Sequence, residues 1–141
     1  MESKVINIMM VDDDNLDVID MQRSLTKMSL LHKASIARNG EEALELLSQM
    51  EKSNSLPDVI LLDINMPKMN GVEFLNVVRN NPTWKELKIF MITTSDELID
   101  REETRRLGVS GYIVKPLKLN NPTSIDSFHL MIDLMNMKSG L

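Results

Sequence analysis

The chain has 141 residues, of which 43% are apolar and 26% are charged, and this balance fits one globular domain with its own core. Its formal net charge of −5 argues against nucleic acid as a direct partner, because no basic stripe is dense enough to follow a phosphate backbone. The absence of cysteine excludes disulfides, thiolate zinc sites and cysteine nucleophiles, and the two histidines are far apart in sequence, so any metal must be held by oxygen atoms.

The apolar stretch near the N-terminus ends at Asp12, far short of the ~18 residues that a membrane span requires. We therefore expect neither a signal peptide nor a transmembrane helix. These features predict a cytoplasmic protein without a membrane partner.

Short, nearly continuous apolar segments predict parallel strands that are buried on both faces. In chain order they cover residues 5–11, 59–62, 89–92 and 112–114, and residues 34–37 form a weaker fifth candidate. Each is followed by a longer segment with helical periodicity. This alternation predicts five β-α units.

Apolar residues recur every three or four positions between the predicted strands, as they do in amphipathic helices. The first three helices carry the stripes Val18, Met21, Leu25 and Met28; Ala43, Leu44, Leu47 and Met50; and Val72, Leu75 and Val78. A highly charged fourth helix is predicted over about 96–107, and a fifth over about 122–138, with Asn121 as its N-cap and Pro122 at its first position. Right-handed crossovers then produce an α/β fold with helices on both faces of a parallel sheet.

Polar side chains follow four of the predicted strands. They are Asp12, Asp13 and Asp14 after the first strand, Asp63 after the third, Thr93 after the fourth and Lys115 after the fifth. Any one of them alone would be an ordinary helix cap, turn residue or solvated lysine. Because α/β sheets bind ligands outside the carboxyl ends of their strands, the four positions together predict a site at that edge.

Carboxylates from neighbouring strands suit a hard cation such as Mg²⁺, which prefers oxygen ligands. An aspartate beside that cation can attack a phosphoryl group, because the metal offsets negative charge on both partners. Lys115 would then pair with the phosphoryl oxygens, and the Thr93 hydroxyl would donate a hydrogen bond to one of them.

Together these residues resemble the receiver domain of two-component response regulators over about residues 6–137. The motifs that carry the resemblance are Asp12-Asp13, the segment LLDINMPKMNG at 61–71, Thr93, and the segment SGYIVKP at 110–116. The resemblance implies a flavodoxin-like (βα)5 fold, whose doubly wound, five-stranded parallel sheet has the strand order 2-1-3-4-5. It also implies a cis peptide bond between Lys115 and Pro116, which is otherwise a minority state even before proline.

The resemblance assigns a role to each residue of the predicted site. Its implied roles are Asp63 as phosphoacceptor, Lys115 as partner of the phosphoryl oxygens, Thr93 as switch hydroxyl and Tyr112 as switch aromatic residue. Its implied Mg²⁺ ligands are Asp13, Asp63 and the main-chain carbonyl of Asn65, with Asp12 acting largely through water.

The resemblance also implies a phosphoryl donor, either a sensor histidine kinase or a histidine phosphotransfer protein. The last predicted helix ends within a few residues of Leu141, so we expect a single receiver domain over residues 1–141 without an output domain. Its output would be a phosphorylation-dependent contact with a downstream protein, or relay of the phosphoryl group. We expect a signalling protein that catalyses only its own phosphoryl transfer and slow dephosphorylation.

Three other interpretations use the same acidic residues. Asp12 and Asp14 have the spacing of the haloacid-dehalogenase phosphatases, but Leu16 stands where that motif requires threonine or valine. An EF-hand is excluded because neither the glycine at the loop's sixth position nor the closing glutamate is present. A phosphorylation-independent scaffold with the same fold stays open, since fold alone does not establish activity.

The last helix carries two apolar stripes. The stripe predicted to face the core consists of Ile125, Phe128, Ile132 and Met135. The second stripe, which points roughly away from the first, consists of Leu130, Leu134 and Met137. Three large apolar groups in a row on the outer side predict a contact surface, for a homodimer or for another partner, and the alternative is ordinary scattered surface hydrophobes.

Overall fold

Five strands alternate with five helices in the part of the chain that the computed structural model describes, which is residues 5–64, 66, 68–94, 101–119, 122 and 124–139. The strands are β1 (Ile6–Val11), β2 (His32–Ala37), β3 (Val59–Asp63), β4 (Ile89–Thr93) and β5 (Gly111–Val114). The helices are α1 (Asn15–Lys27), α2 (Gly40–Lys52), α3 (Gly71–Arg79), α4 (Arg101–Arg106) and α5 (Ile125–Ser139). None of these described helices combines the length and the apolar composition needed to cross a membrane.

The five strands form one parallel sheet in the order β2-β1-β3-β4-β5, which confirms the predicted topology. The register pairs Val11 with Leu62, so the residues that follow them, Asp12 and Asp63, lie at the same level. Asp63 in turn pairs with Ile92 of β4. The parallel register therefore collects the polar residues at the carboxyl edge of the sheet.

The hydrophobic core has two layers, one on each face of the sheet. In β1, Ile8 and Met10 pack into one layer, while Met9 and Val11 pack into the other, as the alternation of side chains along a strand requires. Helices α1 and α5 cover the first layer, and α2 and α3 cover the second. Because both faces are covered, the central strands β1, β3 and β4 are apolar at nearly every position.

The first three helices begin at polar N-caps. The carboxylate of Asp14 accepts hydrogen bonds from the main-chain N–H groups of the first turn of α1. Asn39 caps α2, and Asn70 forms a capping box with Glu73 at the start of α3. Asp14 is therefore a helix cap, and of the three consecutive aspartates only Asp12 and Asp13 group with the carboxylate of Asp63.

The two C-terminal helices differ from their predicted bounds. Helix α4 is described from Arg101 to Arg106, and residues 96–100 of its predicted span lie outside the described residues. Helix α5 begins at Ile125, and not near Pro122, because Ser124 is its N-cap: the Ser124 side chain accepts from the N–H of Ser127 at 3.1 Å. The predicted cap, Asn121, lies outside the described residues.

The predicted orientation of α5 is wrong, and so is the contact surface predicted on Leu130, Leu134 and Met137, because these side chains pack into the core. Leu130 and Leu134, placed on the outer side by the sequence, are 0% and 1% exposed, and Met137 packs against the same core layer. The stripe predicted to be core is the exposed one, with exposed fractions of 73% for Ile125, 48% for Phe128, 40% for Ile132 and 42% for Met135.

A polar contact accounts for this orientation. Asp126 lies one turn before Leu130, and its carboxylate accepts the main-chain N–H of Tyr112 on the edge strand β5 at 2.8 Å. A Cβ at Gly111 would lie 2.9 Å from Cγ of Asp126, so glycine lets α5 approach β5 closely. The side of α5 that carries Asp126, Leu130 and Leu134 therefore faces the sheet.

Candidate functional site

Three carboxylates meet at the carboxyl edge of the sheet. Oxygen atoms of Asp12, Asp13 and Asp63 all lie within 4.8 Å of one another, and Asp12 and Asp63 are buried whereas Asp13 is exposed. The strand register brings Asp12 and Asp63 together, and Asp13 extends the cluster toward solvent. We call Asp12, Asp13 and Asp63 the acidic cluster.

The acidic cluster fits a hard divalent cation. All of its donor atoms are carboxylate oxygens, which Mg²⁺ and Mn²⁺ accept readily, and the exposed Asp13 leaves the cluster accessible from solvent. Asn65, whose main-chain carbonyl is a predicted ligand, lies outside the described residues.

Asp12 is the most buried member of the cluster, with 2% of its surface exposed. Burial raises the pKa of Asp12, and the hydrogen bond from the N–H of Asp14 and the charge of Lys115 oppose that rise only in part. The folded domain therefore carries a carboxylate whose ionised form is disfavoured until a cation offsets its charge.

Lys115 supplies positive charge to the cluster from the end of β5. Its Nζ lies 3.2 Å from Oδ2 of Asp12 and 3.4 Å from Oδ1 of Asp63. Burial alone would lower the pKa of Lys115, but the hydrogen bond to Asp17 and the attraction of Asp12 and Asp63 outweigh it, so the pKa of this lysine is raised. The Lys115–Pro116 peptide bond is cis, as predicted.

Asp17 was not singled out from the sequence, yet its Oδ2 lies 2.7 Å from Nζ of Lys115, closer than either carboxylate of the acidic cluster. One signal was available. Asp17 stands four residues before the buried Met21, which places an acidic side chain on the inward side of α1.

The two predicted switch residues lie on neighbouring strands. Thr93, at the end of β4, is buried, and its hydroxyl donates to the main-chain carbonyl of Thr94 at 3.0 Å. Tyr112 on β5 is half-buried, and its hydroxyl forms a hydrogen bond with that of Thr104 on α4. Thr104, which the sequence did not indicate, therefore links the ring of Tyr112 to α4.

Gly71 packs directly behind Asp63. A Cβ at position 71 would lie 2.5 Å from the main-chain oxygen of Asp63, and the N–H of Gly71 donates to the carbonyl of Ile64 at 2.9 Å. Glycine at the start of α3 therefore lets this helix support the backbone of Asp63.

A family model described as the response regulator receiver domain matches residues 8–124. The match begins within β1, and it includes the other four strands and the acidic cluster. The chain belongs to this family. It is a receiver domain of two-component signalling, and its flavodoxin-like fold is that of solved response regulators.

Relatives of similar length support this membership. The response regulator Rcp1 of Synechocystis sp. is 34% identical over 116 residues, which cover 81% of this chain and 79% of Rcp1. The solved Mn²⁺-bound form of Rcp1 superposes with a TM-score of 0.67 at 28% identity, and covers 93% of this chain and 91% of its own.

Two further solved structures are similar. A two-component response regulator from Legionella pneumophila has a TM-score of 0.76 at 33% identity, and the superposition covers 94% of this chain and 99% of that chain. The phosphorylated cyanobacterial phytochrome response regulator RcpA has a TM-score of 0.72 at 28% identity, with 96% and 93% covered. Other curated relatives are longer, and this receiver domain spans between 24% and 48% of three of them.

Proposed function

We propose that this receiver domain accepts a phosphoryl group onto Asp63 from the phosphohistidine of a sensor histidine kinase or a histidine phosphotransfer protein, in a Mg²⁺-dependent reaction. The observation that carries the proposal is the position of Asp63: its carboxylate lies in the acidic cluster and 3.4 Å from Nζ of Lys115. A nucleophile, a set of oxygen ligands for a cation and a fixed positive charge thus lie within one small site.

The transfer forms one bond to phosphorus and breaks another. A carboxylate oxygen of Asp63 attacks the phosphorus atom, the P–N bond of the phosphohistidine breaks, and its electron pair stays on the imidazole nitrogen. Hydrolysis later breaks the new O–P bond, which returns the carboxylate and releases inorganic phosphate. Lys115 offsets the charge of the phosphoryl oxygens, and the Thr93 hydroxyl donates a hydrogen bond to one of them.

Mg²⁺ would be held by Asp13, Asp63 and the main-chain carbonyl of Asn65, with Asp12 acting through water. When bound, it supplies positive charge that offsets the repulsion between the incoming phosphoryl group and the carboxylates. The all-oxygen acidic cluster supports this assignment, as does the Mn²⁺ bound by the relative Rcp1.

The output is a protein contact. We propose that residues 1–141 act as a stand-alone receiver, which binds a downstream protein or relays the phosphoryl group, with a second copy of this chain as one candidate partner. Recruitment of the Thr93 hydroxyl to the phosphoryl group leaves space for Tyr112 to turn inward. That movement would break the Tyr112–Thr104 hydrogen bond and so change the α4–β5 surface.

Phosphotransfer from a purified phosphohistidine protein tests the proposal, with uptake measured by intact mass. Wild type should take up one phosphoryl group only when Mg²⁺ is present, and Asp63→Asn should take up none while its circular dichroism is unchanged. The matched control Asp20→Asn, which alters an exposed carboxylate on α1, should accept the phosphoryl group as wild type does.

Other outcomes identify the alternatives. A wild-type protein that neither takes up phosphoryl groups nor binds beryllofluoride, a mimic of the phosphoryl group, is a phosphorylation-independent scaffold. Multiple turnovers of a small phosphate ester, abolished by Asp12→Asn, would instead indicate a phosphatase.

A further inference from the structure

Lys115 makes its shortest described ion pair outside the acidic cluster. Its Nζ is 2.7 Å from Oδ2 of Asp17, compared with 3.2 Å from Asp12 and 3.4 Å from Asp63. The lysine side chain is 13% exposed and that of Asp17 is 28% exposed, so water screens this contact only in part. In the unphosphorylated arrangement, Lys115 is therefore bound most closely to α1.

Asp17 is a partner of the lysine and not a member of the acidic cluster. Among the described residues, the carboxylates that approach closely enough to share one cation are Asp12, Asp13 and Asp63. Removing the charge of Asp17 therefore acts on Lys115 and leaves the predicted metal ligands in place.

The position of Asp17 is defined by the start of α1. Asp14 caps this helix, and its Oδ1 accepts the N–H groups of Leu16 at 2.9 Å and of Asp17 at 3.4 Å. Val18, the next residue, and Met21, one turn after Asp17, are buried in the core. The Asp17 carboxylate is thus held beside Lys115 by a capped and packed helix.

We propose that Asp17 is a positioning residue that competes with a phosphoryl group on Asp63 for Lys115, and so favours the unphosphorylated arrangement. This inference rests on the function proposed above. Each state of the domain uses the ammonium group differently: the resting state pairs it most closely with Asp17, and the phosphorylated state pairs it with the phosphoryl oxygens. If the Lys115–Asp17 ion pair is stronger in the resting state than in the phosphorylated state, it disfavours the phosphorylated state. The size of this effect is the difference between the free energies of the ion pair in the two states.

The expected effect follows from the value of a partly exposed ion pair. Loss of the Asp17 charge should raise the affinity for beryllofluoride about fivefold, which corresponds to ~1 kcal/mol. The dephosphorylation rate constant should fall by a similar factor of about five, because the lysine stays with the phosphoryl oxygens.

The test compares Asp17→Asn, Asp17→Glu and Asp20→Asn by titration with beryllofluoride at saturating Mg²⁺. Asp20 lines the same small cavity as Asp17 and Lys115, but it forms no ion pair with Lys115 among the described contacts. Asp20→Asn therefore makes the same change in charge without touching the lysine. Asp17→Asn should bind about fivefold more tightly, whereas Asp20→Asn and Asp17→Glu should resemble wild type.

A second measurement follows the lysine itself. The ¹⁵N resonance of the Lys115 ammonium should shift in Asp17→Asn without any ligand, and it should be unchanged in Asp20→Asn. Equal beryllofluoride affinities for wild type and Asp17→Asn, or equal gains for Asp17→Asn and Asp20→Asn, would overturn the competition. If wild type binds no beryllofluoride, the proposed function fails, and an unshifted lysine resonance would separately overturn the contact on which the inference stands.

Discussion

Replacing Lys115 by methionine tests the electrostatics of the site most directly. The substitution keeps an unbranched apolar side chain, one heavy atom shorter, and removes the charge that faces Asp12 and Asp63. Both carboxylates are nearly inaccessible to water, with side-chain exposures of 1% and 4%. In the absence of a metal ion, Lys115→Met therefore leaves two buried carboxylates close together without the positive charge of the lysine.

The structure sets the size of the effect. Breaking a buried ion pair by removing one partner costs about 3–5 kcal/mol, because the remaining charge stays desolvated. Part of this cost is avoided, since Asp12, whose pKa is already raised by burial, can take up a proton. We therefore expect Lys115→Met to lose about 3 kcal/mol of unfolding free energy in EDTA, or about 10 °C in melting temperature for a domain of this size.

Urea and thermal unfolding of both proteins, in EDTA and in saturating MgCl2, provide the assay. Most of the deficit of Lys115→Met should disappear with Mg²⁺, because a divalent cation in the acidic cluster offsets the same carboxylates and stabilises the folded state by its binding. Lys88→Met is the matched control. Its lysine pairs with Asp133 at 3.0 Å in a more exposed position, so it should lose less than about 1 kcal/mol, whether or not Mg²⁺ is present.

Two results would refute this reasoning. If Lys115→Met and Lys88→Met lose equally little stability in EDTA, Lys115 does not offset buried charge. If Mg²⁺ leaves the deficit of Lys115→Met unchanged, the cation does not bind where the lysine acts.

Three further predictions follow from burial, packing and pKa. Leu134→Ala should cost about 2–5 kcal/mol in urea unfolding, because it empties a fully buried position, whereas Phe128→Ala on the exposed stripe of α5 should cost less than about 1 kcal/mol; equal losses would contradict the observed orientation. Gly71→Ala should cost about 1–3 kcal/mol and slow phosphoryl uptake in the mass assay, because its Cβ would push against the main-chain oxygen of Asp63. The pKa of Asp12 in the folded state lies above its ordinary value of 3.8, so above pH 3.8 the folded state binds more protons at this carboxyl than the unfolded state does. The free energy of unfolding in EDTA should therefore decrease as the pH rises from 3.8 through the folded pKa. Asp12→Asn should remove this decrease and be the more stable protein at neutral pH, and an unchanged pH profile of urea unfolding would exclude Asp12 as its source.

The strands and their common edge were predictable because buried parallel strands leave a local signature. Segments such as Val59–Asp63 are apolar at nearly every position, and a single acidic residue marks the end. Once the strands are parallel, their carboxyl ends must meet, so Asp12, Asp63 and Lys115 could be assigned to one site before any distance was known. The helical stripes of α1, α2 and α3 could be predicted from periodicity, since the buried apolar residues of each of these helices recur every three or four positions on one side.

By itself, then, the sequence determined the order of the elements, their parallel arrangement and the location of the acidic cluster, and the resemblance to receiver domains supplied the strand order. Tertiary structure decided which side of α5 is covered, because that helix has two apolar sides and periodicity cannot choose between them. Asp126 fixes this orientation, because its carboxylate accepts a hydrogen bond from the main-chain N–H of Tyr112 on the edge strand β5. Tyr112 lies 14 residues before Asp126 in the chain. Tertiary structure also decided the closest partner of Lys115, because Asp17 is 98 residues away in sequence, and only the packing of α1 against the sheet brings the two charges to within 2.7 Å.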